Sequence, residues 1–304
     1  MTRSEEGPTT FQRLYAELES SYPNYAAVWR RSRAEFGPRW EEEISTNIGR
    51  VFGPEPGPAW KEAIDGYAEF CTDALRAQVF FERNGRYQAS NYDDVSRDCY
   101  HSADYMERRY LPGQYLSHYV WPHHQRMLAG FLATFLPRCG PISTFYEVGV
   151  GCGMYSQKLL EHLPAAVGAG IDISEYSLRF TERIVGAHGF GDRYRTIQTD
   201  IFDHALPAPA DLVVCQEVLE HLEDPETFVE KLFLLTRPGG HAYVSAAVNA
   251  AHTDHIYLYR STAEVKAQID AAGFLCLGEQ VETSYPEKPE HLRPTIVGFF
   301  CTRP

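Results

Sequence analysis

From about residue 142 onward, short apolar segments typical of β-strands alternate with amphipathic segments typical of helices. The strand-like segments are TFYEVGV, AVGAGIDI, RYRTIQTD, ADLVVCQ and GHAYVSAAV, and the helix-like segments are GMYSQKLLEHL, EYSLRFTERIVGAHG, DPETFVEKLFLLT and STAEVKAQIDAAG. Strict alternation predicts an α/β fold with a parallel, doubly wound sheet that binds ligands at the carboxyl ends of its strands. Two further strand-like segments, FLCLGEQVE and TIVGFFCT, have no helical pattern between them. They predict an antiparallel hairpin at the sheet edge.

The first 138 residues have a different pattern. Amphipathic helical stretches cover residues 11–18, 40–51, 59–81 and 115–135, separated by turn signals such as GPEPGP. We expect residues 1–138 to form a helical N-terminal cap and residues 139–304 to form the domain that contains the sheet. The cap sequence is rich in Tyr and His, including YLSHYVW. Such rings suit a helical core and also the wall of a small-molecule pocket, so both interpretations stay open.

Composition narrows the classes of partner. With 28 basic and 41 acidic residues the net charge is −13, which opposes binding to nucleic acid or to an anionic membrane. The seven cysteines include no C-x-x-C pair, which favours a reducing compartment. Because the sequence also has no signal-peptide pattern and no membrane-length apolar run, we expect a cytoplasmic protein. The sequence leaves the oligomeric state, including a homo-oligomer, open.

A glycine-rich segment, EVGVGCG at residues 147–153, lies where the first predicted strand ends and a helix begins. Glycines there allow a tight turn and let a ligand lie against bare backbone. Two carboxylates follow the next strands: Asp172 in GIDIS, 19 residues after Gly153, and Asp200 in IQTDIFD. A carboxylate in the first position can accept hydrogen bonds from the ribose hydroxyls of an adenosine ligand. One in the second position could accept a hydrogen bond from an adenine amino group.

These elements, followed by the EVLEHL strand end and an RPGG turn at 237–240, resemble class I S-adenosylmethionine (SAM) dependent methyltransferases over residues 142–304. The resemblance implies a Rossmann-like fold and SAM as cofactor. It implies these cofactor-binding residues: Glu147, Gly149, Gly151, Gly153, Asp172, Ile173, Asp200, Ile201, Gln216 and Glu217. By the same resemblance, Glu147 either contacts the cofactor amino group or only orders the glycine turn. A dinucleotide enzyme has a similar turn, but the sequence contains no set of residues that indicates hydride transfer.

Candidate catalytic side chains lie in EVLEH at 217–221 and HTDH at 252–255. Methyl transfer is an in-line displacement, so the enzyme must align the acceptor and remove its proton. Glu217, Glu220 and His221 fall at i, i+3 and i+4, which share one face if the segment is helical. We predict Glu217, His221 and His255 as catalytic residues, with an imidazole as the base near neutral pH.

The same residues resemble the E-x-x-E-H and later D-H pair of the terminal 2'-O-methyltransferases of small RNA, and the pattern of ubiquinone-pathway O-methyltransferases. This resemblance implies Glu217, Glu220, His221 and His255 as ligands of a divalent cation, Mg²⁺ or Mn²⁺, that activates a hydroxyl group. EVLEH also occurs in methyltransferases that use no metal, so metal-assisted and metal-free chemistry both stay open. The net charge of −13 opposes an RNA acceptor.

We therefore expect SAM-dependent methyl transfer to a small-molecule metabolite, with O-methylation favoured. One alternative is an S- or N-methyltransferase that uses no metal and acts on an amino-acid-like acceptor. Four arginines are candidates to hold the carboxylate of that acceptor: Arg108, Arg109, Arg126 and Arg260. Another alternative is a SAM-binding protein without transferase activity.

Overall fold

The computed structural model describes residues 7–100, 102–202 and 207–304, and three long helices open the chain. They are α1 (Thr10–Ser21), α2 (Pro23–Phe52) and α3 (Pro58–Asn84). Helix α2 is bent at Gly37, whose φ is 75°, immediately before Pro38. The three predicted stretches at 11–18, 40–51 and 59–81 lie inside these helices. The half of α2 before the bend was not predicted.

Shorter helices lead from α3 to the sheet. First come four turns, two of them π-helical: Tyr92–Val95, Ser96–Tyr100, Ala103–Tyr105 and Met106–Tyr110. They are followed by α4 (Leu111–Val120) and α5 (Pro122–Gly130). A π-helical turn, Phe131–Phe135, and a 3-10 turn, Leu136–Arg138, lead to the sheet. The prediction of one helix over 115–135 is wrong, because Trp121 has extended φ and ψ of −87° and 120°. A residue that precedes a proline avoids the helical conformation, and Pro122 starts the next helix.

Seven strands of the described residues form one sheet, in the order β3-β2-β1-β4-β5-β7-β6. The strands are β1 (Thr144–Val148), β2 (Val167–Asp172), β3 (Tyr194–Gln198), β4 (Ala210–Cys215), β5 (Thr236–Val248), β6 (Leu275–Thr283) and β7 (Thr295–Thr302). Strands β1 to β5 are parallel, and β7 runs antiparallel to both β5 and β6. The predicted Rossmann-like fold with an antiparallel last strand is confirmed. The RPGG turn lies within β5 rather than before it, since the Gly239 amide donates to the carbonyl oxygen of Arg303.

Helices cover both faces of the sheet. The later helices are α6 (Met154–His162), α7 (Glu175–Ala187), α8 (Pro225–Leu235) and α9 (Thr262–Ala271), with 3-10 turns at Gly191–Arg193, Leu219–His221 and Glu290–Leu292. One apolar cluster joins α8 and α9 to the sheet, while a second runs from Phe11 and Trp29 in the N-terminal helices to Tyr243 and Phe300 in the strands. This second cluster therefore continues across residue 138. No helix of the described residues is both long enough and apolar enough to cross a membrane.

Two glycines allow the segment before α5 to approach α3 closely. A Cβ atom on Gly66 would lie 2.3 Å from the carbonyl oxygen of Arg108, and one on Gly113 would lie 2.4 Å from the Cβ of Phe70. Real Cβ contacts are longer than this, so backbone or a packed ring would have to move. Gly66 and Gly113 therefore allow the segment of residues 106–120 to pack closely against α3.

We expect Gly66→Ala to lower the free energy of unfolding by about 1–3 kcal/mol, because the added methyl group overpacks the backbone of residues 108–109. The matched control is Gly186→Ala in α7, where a Cβ atom meets nothing within 4 Å. That change should stabilise the protein by up to about 1 kcal/mol, since alanine is the better helix former. Chemical denaturation measures both values, and equal stability of the two variants would contradict the packing argument.

Candidate active site

A cavity of about 390 Å³ lies at the carboxyl ends of β1, β2 and β4. Eight of the ten predicted cofactor-binding residues line it: Gly149, Gly151, Asp172, Ile173, Asp200, Ile201, Gln216 and Glu217. These residues are far apart in sequence and meet because the carboxyl ends of parallel strands share one edge of the sheet. Glu147 and Gly153 are not among the lining residues.

The glycine turn lies between β1 and α6. Gly149 and Gly151 have positive φ angles of 69° and 50°, a conformation that favours glycine. A Cβ atom on Gly149 would lie 2.4 Å from Cγ2 of Val218, so the turn also needs a residue without a side chain. The Oε1 atom of Gln114 in α4 accepts a hydrogen bond of 2.9 Å from the Cys152 amide. The N-terminal helices thus contact the turn directly.

Glu147 contacts the helix that follows this turn. Its Oε2 atom accepts a hydrogen bond of 2.7 Å from the Ser156 amide in the first turn of α6. Burial raises the pKa of the Glu147 carboxyl to about 8. Of the two roles left open by the sequence, this contact supports ordering of the glycine turn and the helix that follows it.

Asp172 connects the cavity to the glycine turn. Its Oδ2 accepts a hydrogen bond of 3.3 Å from the Gly151 amide and its Oδ1 one of 2.8 Å from the Ser174 amide. Burial raises the pKa of Asp172 to about 6. Asp200 is more exposed and accepts a hydrogen bond of 2.9 Å from the Phe202 amide. Two carboxylates beside bare backbone therefore suit a ligand that carries hydroxyl and amino donors.

Glu220 is a buried carboxylate with unusual surroundings. Its exposed fraction is 0%, and neither oxygen has a hydrogen-bond partner of normal geometry among the described residues. Burial raises the pKa of the Glu220 carboxyl to about 8, although the backbone amides of Glu220 and Ala247 act to lower it. A carboxylate in this state needs a proton or a cation. One potential ligand atom from each of Glu220, His221 and His255 lies within 4.8 Å of the other two.

Backbone carbonyl groups determine which imidazole nitrogens are available. His255 Nδ1 lies 2.8 Å from the carbonyl oxygen of Ala250, and His221 Nδ1 lies 3.1 Å from that of Asp254. Carbonyl oxygens only accept hydrogen bonds, so both Nδ1 atoms carry the proton. Each Nε2 atom then has a free lone pair, which can accept a proton or bind a cation.

Asp254 links these histidines to the N-terminal helices. Its carboxylate accepts hydrogen bonds of 3.0 Å from the Tyr100 hydroxyl and 2.8 Å from His252 Nδ1, and it lies 3.3 Å from His221 Nδ1. Burial acts to raise the pKa of Asp254, but the imidazoles of His221, His252 and His255 hold it well below its usual range. Asp254 therefore stays ionised and orients its partners. The sequence placed Asp254 in a candidate loop but had no signal for its contact with Tyr100, which lies 154 positions away.

Glu217 is not part of the cluster of Glu220, His221 and His255, although burial, followed by the charge of Glu220, raises the pKa of Glu217. Glu217 has a left-handed φ of 49°, and the helical turn begins only at Leu219, so the predicted shared helical face does not form. Its Oε1 accepts a hydrogen bond of 3.0 Å from Gln216, and its Oε2 lies 4.0 Å from His124 Nε2. Glu217 lines the cavity together with His221, whereas Glu220 and His255 are not among the lining residues.

The N-terminal helices provide one wall of the cavity. Its residues from this region are Tyr92, Tyr100, Met106, Tyr110 and Gln114. Of the two interpretations left open for YLSHYVW, the structure favours the helical core, because Tyr115 and Tyr119 in this segment are buried against each other. The richness in Tyr pointed to the correct region, but it did not distinguish cavity-facing rings from core rings.

The four candidate arginines are not among the lining residues. Arg109 pairs with Glu69, Arg108 with Asp104, and Arg126 with both Glu35 and Glu282. Arg260 donates to the carbonyl oxygen of Gly85. The cavity therefore offers no support for any of them as a clamp for an acceptor carboxylate.

Comparisons with known proteins agree with this fold. Residues 146–242 match the family model described as a methyltransferase domain. This match covers about a third of the chain, and the fold is the Rossmann-like fold of class I SAM-dependent methyltransferases. It resembles the SAM-dependent methyltransferase SibL in its apo form, with a TM-score of 0.53 and 18% identity over 97% of this chain and 96% of that one. It also resembles phosphoethanolamine N-methyltransferase 2 of Haemonchus contortus, with a TM-score of 0.51 and 12% identity over 71% of this chain and 61% of that one. At these identities the likeness concerns the fold.

Curated relatives match about a third of the chain at higher identity. A ubiquinone biosynthesis O-methyltransferase of Cupriavidus pinatubonensis is 35% identical over 102 residues, which are 33% of this chain and 39% of that protein. One of Pseudomonas fluorescens is 30% identical over 99 residues, 33% of this chain and 42% of that protein. The chain thus spans about two fifths of the length of these relatives.

We expect Asp172→Asn to weaken binding of S-adenosylhomocysteine by about 10- to 100-fold, because an amide replaces a charged acceptor of hydrogen bonds. Titration calorimetry measures the affinity. The control is Asp192→Asn in the exposed turn at 191–193, which should leave it unchanged. Equal affinities of the two variants would rule out the assignment of Asp172.

We also expect the affinity of the wild-type protein for S-adenosylhomocysteine to fall as the pH decreases through about 6. Burial raises the pKa of Asp172 to about 6, so below this pH the carboxyl is protonated and loses its charge as an acceptor. Titrations at pH 5 and pH 7.5 measure the change. In Asp172→Asn this step should be absent; a step of the same size in that variant would assign it to another group.

Proposed function

We propose that this chain transfers the methyl group of S-adenosylmethionine to a hydroxyl group of a small molecule. The main supporting observation is that a single cavity is lined by the glycine turn and Asp172 as well as by His221 and tyrosines of the N-terminal helices. Cofactor-binding and proton-accepting residues thus line a common space, as an in-line transfer requires. The O-methyltransferase names of the curated relatives support the choice of oxygen over sulfur or nitrogen.

The glycine turn and two carboxylates would hold the cofactor. Gly149 and Gly151 leave backbone exposed to it, Asp172 would accept hydrogen bonds from the ribose, and Asp200 with Ile201 would frame the adenine. When bound, S-adenosylmethionine supplies an electrophilic methyl group. Gln216 and Glu217, also lining residues, are the groups that we assign to the surroundings of the sulfonium.

The N-terminal helices would form the acceptor side of the cavity. Tyr100, Met106 and Tyr110 present apolar surface to it; Tyr110 is buried and Tyr100 is half-buried. Burial, followed by the charge of Asp254, raises the pKa of both tyrosines well above the usual value. These hydroxyls therefore stay protonated and serve to orient and to exclude water rather than to act as bases.

His221 is the group that we assign to the acceptor proton. Its Nδ1–H is held at the Asp254 carbonyl and carboxylate, so Nε2 is the atom that accepts a proton. The ionised Asp254 would stabilise the resulting imidazolium. Asp254 and Tyr100 are positioning residues in this arrangement, because they act through His221.

We further propose that Glu220, His221 and His255 bind a divalent cation, Mg²⁺ or Mn²⁺. In the described part of the chain, the buried Glu220 carboxylate has no hydrogen-bond partner of normal geometry, and backbone carbonyls orient two imidazoles beside it. These groups are a suitable mixed oxygen and nitrogen donor set. When bound, the cation would lower the pKa of an acceptor hydroxyl. His221 is then a ligand rather than the base, so its two roles are alternatives that removal of the metal distinguishes.

We expect chelation to lower the rate of methyl transfer from labelled S-adenosylmethionine to a panel of small phenols by at least about tenfold, and Mn²⁺ to restore it. Glu220→Gln should abolish this restoration and weaken Mn²⁺ binding, as followed by electron paramagnetic resonance without acceptor. The control, Glu230→Gln at an exposed position of α8, should behave as wild type.

Two other outcomes have defined meanings. A rate that chelation leaves unchanged would exclude the cation and leave His221 as the base, in which case His221→Ala should abolish transfer. Binding of S-adenosylhomocysteine without methylation of any acceptor, in the panel or in a metabolite extract, would favour a non-catalytic SAM-binding protein.

A further inference from the structure

Two cysteines face each other at the edge of the sheet. Cys276 in β6 is paired with Cys301 in β7, and their Sγ atoms are 3.5 Å apart. A β-bulge between Cys276 and Gly278 produces this pairing. Without the extra residue, the register that begins at Gly278 would place Leu277 opposite Cys301. The bulge therefore aligns the two thiols.

The surroundings make the two thiols unequal. Cys276 is partly exposed and Cys301 is buried. Cys276 also lies 3.6 Å from Asp270, which pairs with Lys266. The hydrogen bond with Cys301 is the largest cause that lowers the pKa of Cys276, and Lys266 acts in the same direction, while burial and Asp270 act to raise it. The pKa of Cys301 is raised by the same hydrogen bond and by burial. Cys276 is thus the thiol that ionises first and that reagents can reach.

Other cysteines have a different environment. Cys71, Cys99, Cys139, Cys152 and Cys215 are buried. Burial raises the pKa of the thiols of Cys71, Cys139, Cys152 and Cys215. Protonated, enclosed thiols react slowly with disulfides. The difference predicts selective reaction at Cys276.

We propose that Cys276 and Cys301 form a reversible disulfide with low-molecular-weight disulfides such as oxidised glutathione as the oxidant. The Cys276 thiolate attacks one glutathione sulfur, which breaks that S–S bond, forms a mixed disulfide and releases one glutathione thiolate. Cys301 passes its proton to solvent or to the released thiolate and attacks the Cys276 sulfur, and the second glutathione leaves. The two protein thiols lose two electrons, and oxidised glutathione is reduced to two thiols.

The pair lies at the end of the sheet opposite the cavity. Cys301 is paired with Ala242 near the start of β5, whereas Val248 at the end of β5 precedes the loop with His252 and His255. The disulfide would therefore cross-link the edge hairpin without touching the candidate active site. Disulfides of intracellular proteins are usually transient and redox-sensing, which fits a partly exposed pair of this kind.

The test is a thiol count on the full chain after incubation with oxidised glutathione. Titration in denaturant should fall from seven thiols to five, and a phosphine reductant should restore seven. Trypsin leaves both cysteines in one peptide, because Lys288, Arg293 and Arg303 each precede a proline. Cleavage after glutamate separates the two cysteines, so the oxidised protein should yield peptides that remain joined until reduction.

Matched variants make the assignment specific. Cys276→Ser should form no cross-link, whether or not all six of its thiols stay free. Cys139→Ser should still lose two of its six thiols. Cys301→Ser is a second variant and should keep glutathione on Cys276 as a mixed disulfide. In wild type, seven unreacted thiols, a stable mixed disulfide at Cys276 or a cross-link between other cysteines would overturn the proposal. Binding of S-adenosylhomocysteine should be equal in the reduced and oxidised protein, and a large loss on oxidation would contradict the separation of the two sites.

Discussion

Packing of the N-terminal helices and the sheet around a common apolar core is the constraint on which the candidate site depends. Phe131 and Tyr243 have ring centroids 4.7 Å apart, and Phe135 stacks on Phe300 at 5.1 Å. These contacts hold the helices before β1 against β5 and β7. The same helical region supplies the aromatic wall of the cavity, so the shape of the acceptor side depends on packing outside the segment that matches the methyltransferase model. A relative that shares only that segment need not share the acceptor.

Two buried carboxylates beside the cavity have pKa values shifted in opposite directions. Asp254 is surrounded by imidazoles that keep it ionised, and it uses this charge to orient His221 and Tyr100. Glu220 is equally buried but has no hydrogen-bond partner of normal geometry within the described ranges, and burial raises its pKa to about 8. A deficit of positive charge at Glu220 is the physical reason for proposing a cation there. The fixed tautomers of His221 and His255 add two nitrogen donors to the same place.

Much of the fold could be predicted because its signals are local. Alternating hydrophobic periods predicted the sheet and its antiparallel end, and the glycines with Asp172 predicted where the cavity lies. The break before Pro122 was missed although the proline was visible, because the apolar pattern continues across it. Glu217 was placed on a shared helical face by spacing alone, but its left-handed φ prevents that face from forming. Spacing predicts neighbours only when the backbone conformation assumed for it is the one adopted.

Local residue patterns in the sequence were enough to specify the succession of strands and helices along the chain, the glycine turn, and the carboxylates that end β2 and follow β3. Those features depend on residues close together in the chain and on the rule that parallel strands end at one edge. The contact of Tyr100 with Asp254, the isolation of Glu220 and the alignment of Cys276 with Cys301 depend on long-range packing and on one bulge. Such contacts join residues whose sequence separation carries no periodic signal, so only the folded chain decides them.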